Sequence, residues 1–404
     1  MTVIQKNPKT APQKIIAISK EDRAMIDAKI NDYLKSISTD AIIAADPGNF
    51  TYVSGVFLPY ADQFGTPKAA VIAEDGKRTV ICPPEWEQLP KDQDRDCELS
   101  VYTSSDGIFT DALIGRIAAK AASFKKIGID KSELPVSFAS RLQQALPNAE
   151  LIDITAGLKK LRMVKTPAEI IMLENAVRFI DRAAVAALNH SEGQPCDVIS
   201  YYMWEFAERI RVHIGEFGGS ASGNITALQG SDMRFLSKNP TGLMREGNPI
   251  RFEATGSHLG YWASGARTFY IGNPCPNFEA DYNKNIELKK YAETLLKPGA
   301  KASDIFNSVL EEAARKDIAV FSEAGIGYSV GVTEREAPYL SASDDTALEP
   351  GMVIVLAIYT YGPNRELICS KDTYEITDDG SRLMSWYKNY DNLYRINGTH
   401  ARHG

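Results

Sequence analysis

A helix start in the middle of the chain constrains its folding more than any other feature. In the run LKKLRMVKTPAEI, Thr166, Pro167 and Glu169 form a capping box with proline at the first helical position. Ile170, Leu173, Val177, Ile180, Ala184 and Leu188 then recur at helical spacing until the breaker SEGQP. A second helix is expected from about Asp197 to Val212. The 404 residues exceed one ordinary core of roughly 150 to 250 residues. The helix start therefore marks a boundary, and the predicted domains are 1–162 and 163–404.

The two sides of the boundary differ in rhythm. Before it, the short β-type runs AIIAA, FTYVSGV, AAVIA and TVIC alternate with the turn signals DPGN and EDG, and helical patterns follow at 109–122 and 137–146, which is an α/β pattern. After it, PIRFEATG, YWASGARTFYIG, EPGMVIVLAIYTYG and LICSKDTYEIT read as long strands, with helical stretches at about 279–296 and 303–316 between the second and third. The second half is thus a sheet-plus-helix domain whose candidate functional residues lie on strands.

Charge and cysteine usage narrow the function classes. A net charge of −7 leaves no basic footprint for a phosphate backbone, so nucleic acid is not an expected partner. The first twenty residues lack the apolar stretch of a signal peptide, and no run reaches the roughly 18 apolar residues of a membrane span. A membrane is not expected as a partner, and a cytoplasmic protein is. The five cysteines are scattered without a CxxC pair, as reduced thiols would be.

Six segments carry a family resemblance. They are MVKTPAEIIMLENAVRFID, GYWASGART, LKPGAKASDI, GYSVGVTEREAPY, LEPGMVIVLAIY and SKDTYEITDDG, in that order. With them the chain resembles the creatinase and aminopeptidase P family (M24), and the resemblance spans nearly its whole length. It implies an α/β N-terminal domain plus an α+β pita-bread C-terminal domain. The family's peptidases bind two divalent metals through two Asp, one His and two Glu, hard donors suited to such ions. In this chain those positions fall on Glu253, Ser264, Tyr328, Ala357 and Lys371. Only Glu253 is a donor of the expected kind. A lysine ammonium ~4 Å from a divalent ion is repelled by several kcal/mol even at an effective dielectric near 20. No metal and no other cofactor are expected.

A metal-free creatinase has a precedent in the family, but the carboxylates that would face a guanidinium fall on Ala266 and Ala357, and creatine is not an expected substrate. The remaining polar residues frame a pocket. Glu253, Tyr328, Glu336 and Lys371 are candidate catalytic groups: two carboxylates as bases, a phenol as proton donor and a lysine that can be desolvated. Tyr60, Phe64, His258, Ser264, Arg267 and Arg335 are candidate substrate-binding groups, with Arg335 and Lys371 suited to an anion. Alternatively, Lys371 and Arg335 pair with Glu253 and Glu336 and fill the space that metals neutralise in relatives. His258, in ATGSHLGYW, is expected in a turn before a strand.

The leading functional expectation is a metal-independent, creatinase-like hydrolase or lyase that cleaves a C–N bond in a small zwitterionic or anionic compound. A non-catalytic pita-bread binding module stands as its alternative, and a metal-dependent Xaa-Pro aminopeptidase as a third reading. The expected partners are a small-molecule substrate and a second copy of the chain, because relatives place one chain's N-terminal domain against the other's site.

Overall fold

The computed structural model describes residues 18–58, 65–93, 95–103, 105, 107, 109–213, 223–238, 240, 242–385 and 392–396. Its first sheet has the strand order β4-β3-β2-β1-β5-β6. The strands are β1 (Ala41–Ala44), β2 (Ala70–Glu74), β3 (Lys77–Cys82), β4 (Glu98–Val101), β5 (Lys126–Ile129) and β6 (Glu150–Asp153). Helices α1 (Lys20–Ser36), α2 (Pro47–Ser54), the short α3 (Leu89–Asp92), α4 (Phe109–Ala121), α5 (Val136–Ala145) and α6 (Thr155–Met163) accompany it. Strands β1, β2 and β3 pair antiparallel, whereas β1, β5 and β6 run parallel. That mixture suits a sheet with helices on it.

One expectation fails in this region. The run FTYVSGV has strand-like composition, yet Phe50–Ser54 belong to α2. The adjoining DPGN acts as a helix start: Asp46 caps the backbone N–H of Asn49, Pro47 takes the first turn, and Gly55 ends the helix at φ 71°. Local capping chemistry overrides the β preference of the residues that follow.

The boundary helix forms as expected. Helix α7 (Pro167–His190) carries the complete capping box at Thr166 and Glu169, and α8 (Cys196–His213) follows it. The second sheet has the strand order β11-β10-β12-β13-β9-β8-β7. Its strands are β7 (Gly223–Gln229), β8 (Pro249–His258), β9 (Tyr261–Ile271), β10 (Gly327–Ser329), β11 (Glu336–Tyr339), β12 (Val353–Tyr361) and β13 (Leu367–Ile376), with β14 (Ser381–Leu383) on β13 and β15 (Tyr394–Ile396) on β9. Helices α9 (Pro276–Leu295) and α10 (Ala302–Arg315) separate β9 from β10.

Helices cover one face of this sheet. Glycines at 256 and 265 admit Phe179 and Ile180 of α7 against β8 and β9, where an added Cβ would lie 2.8 Å from each. Asn285 and Lys289 of α9 reach Ser370 and Asp372 of β13. Alternation sends the neighbouring side chains to the opposite face. Among the described residues, no helix is long and apolar enough to cross a membrane.

Candidate functional site

Strand register builds the site. Glu253 lies opposite Ala266, Ala266 opposite Lys371, and Lys371 opposite Ala357, so four residues form one row across β8, β9, β13 and β12. All four lie on the face away from the helices. The two alanines leave room beside the lysine stem, and the Lys371 ammonium forms an ion pair with the Glu253 carboxylate. Glu253 also accepts a hydrogen bond from the Tyr359 hydroxyl at 2.7 Å and faces Arg251 Nε at 3.6 Å. The Tyr359 ring lies under both cations, with Lys371 Nζ 5.7 Å and the Arg251 guanidinium carbon 5.6 Å from its centroid. Phe235 and Phe321 pack against the same ring.

The charges fix one another. Burial alone raises the Glu253 carboxyl, but the Lys371 and Arg251 charges outweigh it and, with the two hydrogen bonds, hold it at about 2. Burial lowers Lys371, yet the Glu253 charge outweighs it and raises it well above its ordinary value. Both groups are therefore ionised at neutral pH.

Glu336 does not join this row. It is buried under two cations from the segment that leaves the first domain, with Arg162 Nη2 at 3.0 Å and Lys165 Nζ at 2.9 Å, and it accepts from the Thr333 hydroxyl at 3.1 Å. Arg162 also donates to Asn49 of α2 at 2.6 Å. Glu336 thus clasps the two domains together and stands apart from the Glu253 row with which it was grouped as a catalytic candidate. Arg267 also stands apart from the row. Alternation turns it to the helix-covered face, where it donates to Asp372 Oδ1 at 2.5 Å and to the Lys371 carbonyl at 2.8 Å. Asp372 in turn holds Lys289 of α9 at 2.5 Å.

His258 occupies the last position of β8 and is buried, not in a turn. Ser264 lies on the open face and donates to the Ala254 carbonyl at 3.4 Å. Tyr328 lies opposite Val355, two residues from Ala357, which puts it on the face of the Glu253 row. Arg335 does not pair with Glu336. Its guanidinium carbon stands 4.6 Å above the centre of the Tyr328 ring. Tyr60 and Phe64 lie outside the described residues.

A cleft of about 490 Å³ separates α2 from the second domain, and the row residues are not among those that line it. Asp46, Trp86, Glu133, Trp262 and Glu334 are among its lining residues. Trp262 precedes Ser264 by two positions on β9, and Glu334 directly precedes Arg335, so the cleft adjoins the open face of the sheet.

Sequence reasoning missed Arg251 and Tyr359. Each lies two residues from an inspected position on the same strand, so alternation alone identifies them. It also missed Arg162 and Lys165, because a charged boundary segment carries no mark of the buried carboxylate it meets.

The metal donors of the family are absent from the row. Among the described residues, no group of three or more His, Cys, Asp or Glu is placed to hold a metal ion. The single carboxylate of the row already carries an ammonium, and a divalent ion does not fit beside it.

Comparison with known proteins gives two family matches. The model of metallopeptidase family M24 matches residues 172–378, and that of the creatinase/prolidase N-terminal domain matches 28–164. An Xaa-Pro dipeptidase of Pyrococcus horikoshii is 24% identical over 88% of this chain and 95% of its own length. An uncharacterized peptidase of Bacillus subtilis, YqhT, is 22% identical over 88% of this chain and 96% of its own. Among solved structures, an X-Pro aminopeptidase from Thermotoga maritima aligns with a TM-score of 0.79 at 16% identity, covering 92% of this chain and 99% of its own. An Xaa-Pro dipeptidase from Bacillus anthracis aligns with a TM-score of 0.77 at 19% identity, covering 93% and 100%. The two-domain architecture with a pita-bread second domain is that of these structures. The relatives are peptidases by name, and this overturns the expectation of a creatinase-like C–N hydrolase or lyase.

Proposed function

Since the chain belongs to metallopeptidase family M24, we propose that it recognises a small peptide of about dipeptide size in the cleft between its domains, without a metal centre. Two relatives' names support the peptide class. The observation that carries the metal-free part is the Lys371–Glu253 ion pair, which fills the row where the resemblance expects donors. Recognition is favoured over hydrolysis because water activation needs a base near neutrality, and Glu253 is held at about 2. On this reading Arg335, Tyr328 and Ser264 contact the ligand, while Glu253 and Lys371 set the charge of the floor. A homodimer is part of the same reading, and light scattering at the single-chain mass contradicts it. The five unpaired thiols favour a reducing, cytoplasmic setting.

A second reading, metal-dependent cleavage of Xaa-Pro dipeptides, is favoured by the family match and by the relatives' names. Calorimetry with Xaa-Pro dipeptides in EDTA, alongside a product assay with and without added Mn²⁺, separates the two. Binding in EDTA with no product in either assay is expected. Mn²⁺-dependent product replaces the proposal with the second reading, and absence of binding removes the peptide class.

A further inference from the structure

The open face of the second sheet holds a polar group that the protein leaves unserved. Tyr328 is 4% exposed, and its buried hydroxyl has no hydrogen-bond partner among the described residues. Such a hydroxyl is expensive to bury unless something completes it. Register places the residue on the face of Glu253, Lys371 and Tyr359. It therefore points at the floor of the site and not into the packed helices.

Arg335 adds a charge to the same spot. Its guanidinium lies over the Tyr328 ring at 4.6 Å, and no carboxylate pairs with it among the described residues. Its exposed position, directly after the cleft residues Val332, Thr333 and Glu334, leaves its donors open to a ligand. Lys371 cannot play that part, because Glu253 already neutralises it. With Arg251 and Lys371 both set on Glu253, Arg335 is left to meet an anion on this face. A guanidinium and a hydroxyl are both donors, and a carboxylate offers two acceptor oxygens to receive them.

We propose that Tyr328 and Arg335 together form a carboxylate-binding subsite: the Tyr328 hydroxyl donates to one oxygen and the Arg335 guanidinium to the carboxylate as a whole. This rests on the small-peptide reading only for the identity of the ligand, which then presents its C-terminal carboxylate here. The subsite itself requires a carboxylate of any origin.

Calorimetry on the full chain tests it with an Xaa-Pro dipeptide, the same dipeptide as its C-terminal amide, and the simple acids acetate and succinate beside acetamide and succinamide. The acids are expected to bind at least about tenfold more tightly than their amides. Tyr328→Phe is expected to weaken acid binding by roughly tenfold with an unchanged or raised melting temperature, since it removes a hydroxyl that the fold does not use. Arg335→Gln is expected to abolish the difference between acid and amide. Equal binding of acids and amides overturns the subsite, as does unchanged acid binding in folded Tyr328→Phe, or no binding of any acid. If the simple acids bind through Tyr328 and Arg335 while the dipeptide does not, the subsite stands and the peptide reading falls.

Discussion

Glu253 and Glu336 are both carboxylates held by two cations on the same sheet, and they do different work. The partners of Glu336, Arg162 and Lys165, come from the segment that links the domains, and the carboxylate is 4% exposed. The partners of Glu253, Lys371 and Arg251, come from the sheet itself, and this carboxylate remains 19% exposed. The first is sealed and ties two domains together. The second forms the floor of an open face. Two ion groups of similar composition thus differ by where their cations originate: one joins the linking segment to the sheet, and the other, on our proposal, stands where the resemblance expects metal donors.

Removing either anion tests this difference. Glu336→Ala leaves Arg162 and Lys165 buried without a counter-charge, and a loss of about 3 to 5 kcal/mol is expected in chemical denaturation. Loosened contact between the domains, read as faster proteolysis near residues 162–166, should accompany it. If the loss is below that of Lys371→Met, the clasp assignment fails.

Lys371→Met is the corresponding change in the floor. It should destabilise by about 1 to 3 kcal/mol, because Tyr359 and Arg251 still serve a carboxylate that water reaches. Adding Glu253→Leu should recover most of that loss, since an apolar pair of similar volume removes both charges at once. A double variant less stable than the single one points instead to a structural demand for charge at this row.

Acid provides a smaller and graded effect. The carboxyl of Glu253 lies below its unfolded value of about 4.3, so its contribution is complete above that value and disappears as pH falls toward about 2. The Glu336 carboxyl is lowered as well: burial raises it, but Lys165 and Arg162 prevail. Stability measured from about pH 6 down to about pH 3 should therefore fall, and Glu253→Gln should flatten part of the decline. An unchanged slope in that variant assigns the whole decline to other carboxylates.

Much of the second domain was legible because each long element carries several agreeing signals. The capping box, the helical spacing of Ile170 to Leu188 and the alternating strands all point one way, and α7, β8, β9, β12 and β13 form as expected. The row Glu253, Ala266, Lys371, Ala357 was likewise legible in identity, because LEPG and GYW fix the register of their strands. Partner choice was legible for Lys371 and Glu253 but not for Arg335 and Glu336. Both acids and both cations of the proposed exchange were in view, yet Arg335 stacks on Tyr328 while Glu336 takes Arg162 and Lys165. Those two cations stand some 170 residues before their partner. No periodicity reports a contact that only domain docking creates. The helix at α2 was hidden for a different reason, since an Asp N-cap followed by proline and a turn signature are spelled with the same residues.

The replacement of a metal centre by the Lys371–Glu253 pair is tested most directly by elemental analysis of the wild-type protein after equilibration with Mn²⁺ or Co²⁺ and removal of free ions. The expected content is far below one ion per chain. A content of about two ions per chain, as a two-metal site requires, contradicts the account.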